Sequence, residues 1–171
     1  MKEYKVAYAD PPWRQLKGGL RNCRPLQTRA LDYKTLSINK IRDILSKIDA
    51  PVLFLWTIDK FLFKAQELTE DLGYKLHARM IWDKTNGVAP AFTVRYSHEY
   101  LLWCYKSPML KIAKNMRGKQ TTVFTEKATK HSKKPQKAYE IIEGFYPGVN
   151  KIELFARNNR PGWDAWGDEI R

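Results

Sequence analysis

Four consecutive residues, Asp10-Pro11-Pro12-Trp13, combine a carboxylate, two rigid backbone carbonyls and an indole at the end of a short apolar run, Tyr4 to Ala9. The chemistry open to such a set is recognition of a planar amine. The exocyclic amine of adenine is a poor nucleophile because its lone pair is delocalised into the ring. Two acceptors on its N–H bonds, the Asp10 side chain and the Pro11 carbonyl, would favour the pyramidal form that attacks an electrophile. Trp13 could stack on a base taken out of its helix. The same tetrapeptide can also be a plain strand-ending turn, and the four residues alone leave both readings open.

The elements that must position this set follow from the chain's pattern. The run before Asp10 has the length and apolarity of a buried strand, and the prolines end it, since neither can continue a sheet ladder. The residue before each proline is pushed towards extended conformations, so the loop is stiff. Arg14 to Leu31 has no clear period, carries Gly18-Gly19 and five basic residues, and reads as a long loop. A helix then starts after the N-cap Ser37, with Ile38, Ile41, Ile44, Leu45 and Ile48 on one face. Val52 to Thr57 is a second buried strand, giving a crossover unit with a parallel pair.

A helix from Asp59 to Leu72, stopped by Gly73, leads to two strands, Leu76 to Trp82 and Tyr100 to Tyr105. The segment from Lys106 to Lys134 is strongly basic and weakly periodic, and is expected to be a mobile loop. Pro135 opens a helix with Ala138, Ile141, Ile142 and Phe145 as its core face. Lys151 to Ala156 is the last strand, followed by a polar loop through Trp163. Five strands alternating with helices in this way make an α/β sandwich. Ligands in such sheets bind at the carboxyl ends of strands. The loops after Ala9 and Ala156 should therefore share one face.

Composition bounds the rest. The 171 residues fit one domain, residues 1–171, and 43% hydrophobic and 13% aromatic content suits a packed core. Thirty-one Lys and Arg against 18 acidic residues give a charge of +13, which favours a polyanionic partner, most simply nucleic acid. Two cysteines, Cys23 and Cys104, are too few for a disulfide framework or zinc site, and Cys104 reads as a small buried hydrophobe. The three histidines are scattered without ligand spacing, so no metal is expected. No run approaches the ~20 apolar residues of a membrane span, and no secretory signal is visible, so a cytoplasmic location is the default.

Eight pieces in fixed order now carry a resemblance. They are Ala9 to Trp13, Tyr33 to Ser37, Phe54 to Thr57, Leu72 to Tyr74, Ile81 to Asn86, Glu99 ahead of Leu101-Leu102-Trp103, His131 to Pro135, and Lys151 to Arg157 continued by Gly162-Trp163 and Trp166 to Glu169. Along nearly its whole length the chain resembles the adenine-N6 methyltransferases with the DPPW motif. Eukaryotic members of that family modify messenger RNA, and bacterial and phage relatives act on DNA.

The resemblance implies a permuted, Rossmann-like S-adenosylmethionine-dependent methyltransferase fold, with helices flanking the sheet. Asp10, Pro11, Pro12 and Trp13 would form the catalytic loop. Ala9, Asp10, Lys134, Arg157, Asn159, Asp168 and Glu169 would bind the cofactor, and Trp13, Tyr33, Glu99 and Lys134 the substrate. Asn159, Asp168 and Glu169 stand where family members carry other polar types. Only nine residues precede Asp10 and the chain stops soon after Glu169, so a minimal member with a reduced sheet is expected. Targeting would fall to the basic loops Arg14 to Arg29 and Lys111 to Lys134, to a homodimer, or to a partner subunit. Adenine in DNA is slightly favoured over RNA as substrate. The alternative is a catalytically silent nucleic-acid-binding subunit of the same fold; such subunits lose the aspartate or the aromatic, and this chain keeps both.

Overall fold

A computed structural model describes residues 2–14, 35–85, 94, 96–129, 133–168 and 170. Tyr33, Glu169 and residues 15–34 of the first basic loop lie outside the described residues.

The apolar runs become the centre of a sheet. Val6–Ala9 (β1) and Val52–Thr57 (β2) are buried at every position, as strands covered on both faces must be. Between them Ile38–Leu45 (α1) starts at Ser37, whose side chain accepts a hydrogen bond from the Lys40 amide at 3.3 Å. Leu62–Asp71 (α2) is entered through a single 3-10 turn, Asp59–Phe61, and ends at Gly73, whose φ of +82° is the left-handed cap that glycine adopts without strain. Lys75–Asp83 (β3) and His98–Tyr105 (β4) follow, then Val123–Thr125 (β5), Gln136–Phe145 (α3), Lys151–Leu154 (β6) and Asp164–Trp166 (β7). Among the described residues no helix is long and apolar enough to cross a membrane.

The seven strands form one sheet in the order β5-β3-β4-β2-β1-β6-β7. β1 lies between β2 and β6 and runs parallel to both, with Ala9 level with Leu55 and Leu154. The loops after β1 and β6 therefore leave side by side, as expected. β4 is antiparallel to β2 and β3, so its first residues, His98 and Glu99, lie at the end where β1 finishes.

Period-two alternation divides the side chains between two layers. Ala7, Leu53, Leu55 and Cys104 pack with Ile41 and Leu45 of α1 and Ala65 and Leu68 of α2. Tyr8, Phe54, Trp56, Leu101 and Trp103 pack with Ala138, Ile141, Ile142 and Phe145 of α3. Burial raises the Cys104 thiol to about 11, so it sits in the core as a neutral small hydrophobe.

Two expectations change. The sheet has seven strands, two more than the five read from the sequence. The additions, β5 and β7, are three residues each, too short for alternation to show. Nor are the described residues of Lys106 to Lys134 a mobile loop throughout. Its first half contains a 3-10 turn, Lys114–Met116, and Met109, Leu110, Ile112 and Met116 pack on the core. Lys106 donates its amide to Pro51 ahead of β2, and Ala113 donates to Phe145 at the last turn of α3. Both anchors lie at the sheet end opposite Asp10. The chain then returns along β5, parallel to β3, where Val123 stands level with Ile81 and Thr125 with Asp83, so it is back at the Asp10 end by β5.

Candidate active site

The Asp10 loop is held from several directions. Trp13 donates its backbone amide to the Pro11 carbonyl at 2.9 Å, and Leu36 donates to the Pro12 carbonyl at 2.9 Å. The Trp13 indole N–H donates to the Trp56 carbonyl at 3.0 Å, and its ring stacks on Phe61 with centroids 5.6 Å apart. This corrects the expectation for Trp13. Its ring is packed inward against the α2 layer, where it anchors the loop and does not present a free face to a base. Pro11 keeps one carbonyl lone pair beyond the bond from Trp13, so it can still accept a second donor.

Three residues far apart in sequence meet at this loop. Lys134 Nζ lies 2.9 Å from Asp10 Oδ1 and 2.9 Å from Glu99 Oε2, bridging the two carboxylates. Lys84 pairs with the other oxygen of Glu99. The Lys134 ammonium also sits over the Trp56 ring, 5.3 Å from its centroid, and Lys84 over Trp82 at 5.1 Å. The result is an alternating chain of charges, Asp10, Lys134, Glu99 and Lys84, backed by two indoles.

Its electrostatics follow from position. Burial raises the Asp10 carboxyl above its ordinary range; Lys134 pulls it down, Glu99 pushes it up, and burial wins. Burial acts the same way on Glu99, but there Lys134 and Lys84 together outweigh it and hold the carboxyl low. Lys134 is raised despite burial, because two carboxylates share its charge. Lys134 is held charged by two carboxylates and Glu99 by its two lysines, and Asp10 is the least satisfied anion of the set.

Behind Asp10 the α3-facing layer holds a second polar group. Tyr139 of α3 donates its hydroxyl to Glu153 Oε1 at 3.0 Å, and Glu153 stands level with Tyr8 on the neighbouring strand. Burial, reinforced by Asp10, pushes the Glu153 carboxyl up to about 7, against the opposing hydrogen bond from Tyr139 and the charge of Arg160. A raised carboxyl stabilises the fold in its protonated form, so that contribution is full below its ordinary 4.5 and is lost as pH rises to about 7. Glu153→Gln keeps the acceptor for Tyr139 and cannot ionise. It should melt close to wild type near pH ~4.5 and above wild type at pH ~8. An equal melting difference at both pH values would show that Glu153 is not desolvated.

β6 ends in an unusual turn. Phe155, just after β6, has φ of +61°, a left-handed conformation that a bulky residue avoids unless its surroundings impose it. The turn lets Ala156 donate its amide to the Trp166 carbonyl at 3.0 Å. Gly167 comes so close to this segment that a Cβ there would lie 2.2 Å from the Ala156 carbonyl oxygen, so only glycine fits. Arg157, Asn159 and Asp168 are thereby gathered on two adjoining segments at the carboxyl end of β6, next to the Asp10 loop.

A family model described as MT-A70 matches residues 4–169. The chain belongs to the MT-A70 family. It is 29% identical over 191 residues to the type II methyltransferase M.MunI of a Mycoplasma species, covering 99% of this chain and 78% of that protein. It is 26% identical over 176 residues to the human N(6)-adenosine-methyltransferase catalytic subunit METTL3, covering 98% of this chain but 28% of METTL3. An Arabidopsis thaliana MT-A70-like protein is 27% identical over 173 residues, with 24% of its length covered. The chain thus spans about a quarter of these plant and animal relatives and most of the bacterial one.

MT-A70 proteins are S-adenosylmethionine-dependent methyltransferases, and the residues present fit that cofactor. The donor set at the ends of β1 and β6 has the right chemistry: Arg157 is a fork for a carboxylate, and Asn159 and Asp168 are exposed polar groups for ribose and adenine. The close approach at Gly167 is what puts them on adjoining segments. When bound there, the cofactor supplies an electrophilic sulfonium methyl. Ala9, level with Leu154 on β6, is a buried strand residue that brings Asp10 to this edge.

Of the expected site residues, Asp10, Glu99 and Lys134 meet directly; Arg157, Asn159 and Asp168 flank them. Lys84, Trp56, Tyr139 and Glu153 were not singled out. A signal existed for Glu153, a polar residue inside an otherwise apolar strand. Lys84 and Trp56 lie within the resemblance pieces Ile81 to Asn86 and Phe54 to Thr57, but their contact with this site depends on which strands become neighbours.

Proposed function

We propose that this chain moves the sulfonium methyl of S-adenosylmethionine to the exocyclic N6 amine of adenine in nucleic acid, with DNA slightly favoured over RNA, and that residues 1–171 act as one methyltransferase domain. The observation that carries this reading is Asp10: a half-buried carboxylate at the end of β1, fixed by Lys134 and adjoining Arg157's strand end. In this reading Asp10 and the free lone pair of Pro11 accept from the amine, and Lys134 and Glu99 border the base. Arg157, Asn159 and Asp168 hold the cofactor, and by family position Glu169 would join them and Tyr33 would serve the base. The chain's own contribution is position and hydrogen bonding, with no covalent intermediate. The likeness to the type II methyltransferase M.MunI over most of both proteins supports methyl transfer. A homodimer or partner subunit would add targeting.

The test is direct. The protein is incubated with S-adenosylmethionine and with DNA or RNA of the same sequence, and the digested nucleosides are separated. N6-methyladenine should appear, more of it from DNA. Methyl transfer to cytosine, or none to either polymer while the cofactor binds, would overturn the reading.

A further inference from the structure

The far end of the sheet holds charges that the Asp10 site does not use. Between Lys106 and Thr125 there is no acidic residue. Lys106 pairs with Asp49, but Lys111, Lys114, Arg117 and Lys119 form no ion pair among the described residues. Four exposed cations on one short segment repel one another. A solvated surface tolerates this, and a polyanion relieves it.

These cations border a hollow. A concavity of about 290 Å³ is lined by His77, Trp103, Met109, Leu110 and Ile112, with Lys111 and Arg117 also on its walls. The His77 ring is exposed and stands edge-on to Trp103 with centroids 4.5 Å apart. The hollow is at the low end of small-ligand sites, about the size for a single base with its sugar. Apolar walls, an exposed ring and cations beside them are the parts that hold unpaired nucleotides: with Trp103 already stacked on Phe54 and Phe145, the ring for the base is His77, and Lys111 and Arg117 serve the phosphates.

Its placement fits the same strand that would feed the active site. Glu99 and Trp103 lie four residues apart on β4 and face the same layer, so the two sites are separated by about 13 Å or more along the strand, at ~3.3 Å per residue. A stacked nucleic-acid strand advances ~3.4 Å per nucleotide, so the far hollow would meet a nucleotide at least about four positions from the target.

From these observations we infer that the hollow between His77, Trp103 and the 109–117 segment is a second nucleic-acid subsite, which takes an unpaired base several nucleotides away from the methylated position while Lys111 and Arg117 hold its phosphates. The inference rests on nucleic acid being the substrate, and extends the footprint beyond the cleft. None of these residues touches Asp10, Lys134 or Glu99, so the subsite adds affinity and reach without entering the chemistry.

Fluorescence anisotropy with single-stranded oligonucleotides, one about 16 nucleotides long and one about 4, tests it. The double variant Lys111→Gln/Arg117→Gln should bind the long strand roughly tenfold more weakly, with a salt slope lower by about 1.4 for two lost single-strand phosphate contacts. The short strand, which fills only the cleft, should bind as before. Restoring charge with Lys111→Arg/Arg117→Lys should restore the long-strand affinity. His77→Ala should weaken the long strand and leave the salt slope unchanged. Equal loss for both lengths, or no loss for the long one, would overturn the inference, as would full long-strand affinity in His77→Ala. Binding is read without methyl transfer, so an inactive enzyme would sink the proposed activity and leave this measurement standing.

Discussion

Asp10→Asn is expected to fold, bind S-adenosylmethionine and bind nucleic acid close to wild type, and to transfer methyl groups about 10²–10³-fold more slowly. The substitution keeps size and one acceptor oxygen. It removes the negative charge that makes the bond to the amine strengthen as the nitrogen pyramidalises, and its NH₂ can face a like donor. Folding should survive because Asp10 is the least satisfied anion of the cluster. Burial already disfavours its charge, and Lys134 retains Glu99 and the Trp56 ring as partners when that charge goes. The measurement is single-turnover methylation with saturating enzyme, which isolates the chemical step from product release. A rate near wild type would make Asp10 a turn residue and end this mechanism. The pH profile offers a second reading of the same group. The carboxylate is the working form and its affinity for a proton is raised, so wild-type activity should fall on acidification before an ordinary aspartate would titrate, and Asp10→Asn should lack that limb.

Much of the frame around this residue is legible in the sequence because burial writes itself into composition. β2 is five apolar residues in a row closed by Thr57, and the observed strand has the expected bounds. α3 shows its four core residues at helical spacing, and Ser37 caps α1 as its type suggests. Direction and distance are harder to read. The far-end position of Lys111 to Lys119 depends on β4 running antiparallel to β2, and an apolar run carries no arrow. β5 and β7 are edge strands of three residues that owe their existence to the neighbours that pair with them. The charge chain has the same origin. Nothing local in Glu99 or Lys84 points at Asp10; register brings Glu99 opposite Trp82 and places Lys84 two residues further along β3's path. Trp13 shows the limit of reading by residue type alone. An indole beside a catalytic carboxylate invites a stacking role, yet the Trp56 carbonyl and the Phe61 ring claim it first.

Lys134→Met is expected to cost stability in a way that depends on pH. The ammonium lies 2.9 Å from a carboxylate oxygen on each of Asp10 and Glu99, and all three side chains are less than a quarter exposed. Removing one partner of a buried ionic group leaves uncompensated charge, at a cost of about 3 kcal/mol. For a chain of this size that is a fall of roughly 6–12 °C in melting temperature near neutral pH. Glu99 is held below its ordinary range in wild type by Lys134 and Lys84, so the stability it contributes is present above that range and fades as acid protonates it. Without Lys134 both carboxyls move up and accept protons more readily. The melting difference between variant and wild type should therefore shrink as pH falls towards ~4, where neutral carboxyls need no cation. Asp10→Asn combined with Lys134→Met should recover part of the loss at neutral pH, since the double variant buries one anion fewer, and the two effects should not add. A melting difference that stays constant across pH, or a strictly additive double variant, would mean that Lys134 stabilises the fold through packing on Trp56 alone and that the charge chain has no energetic reality.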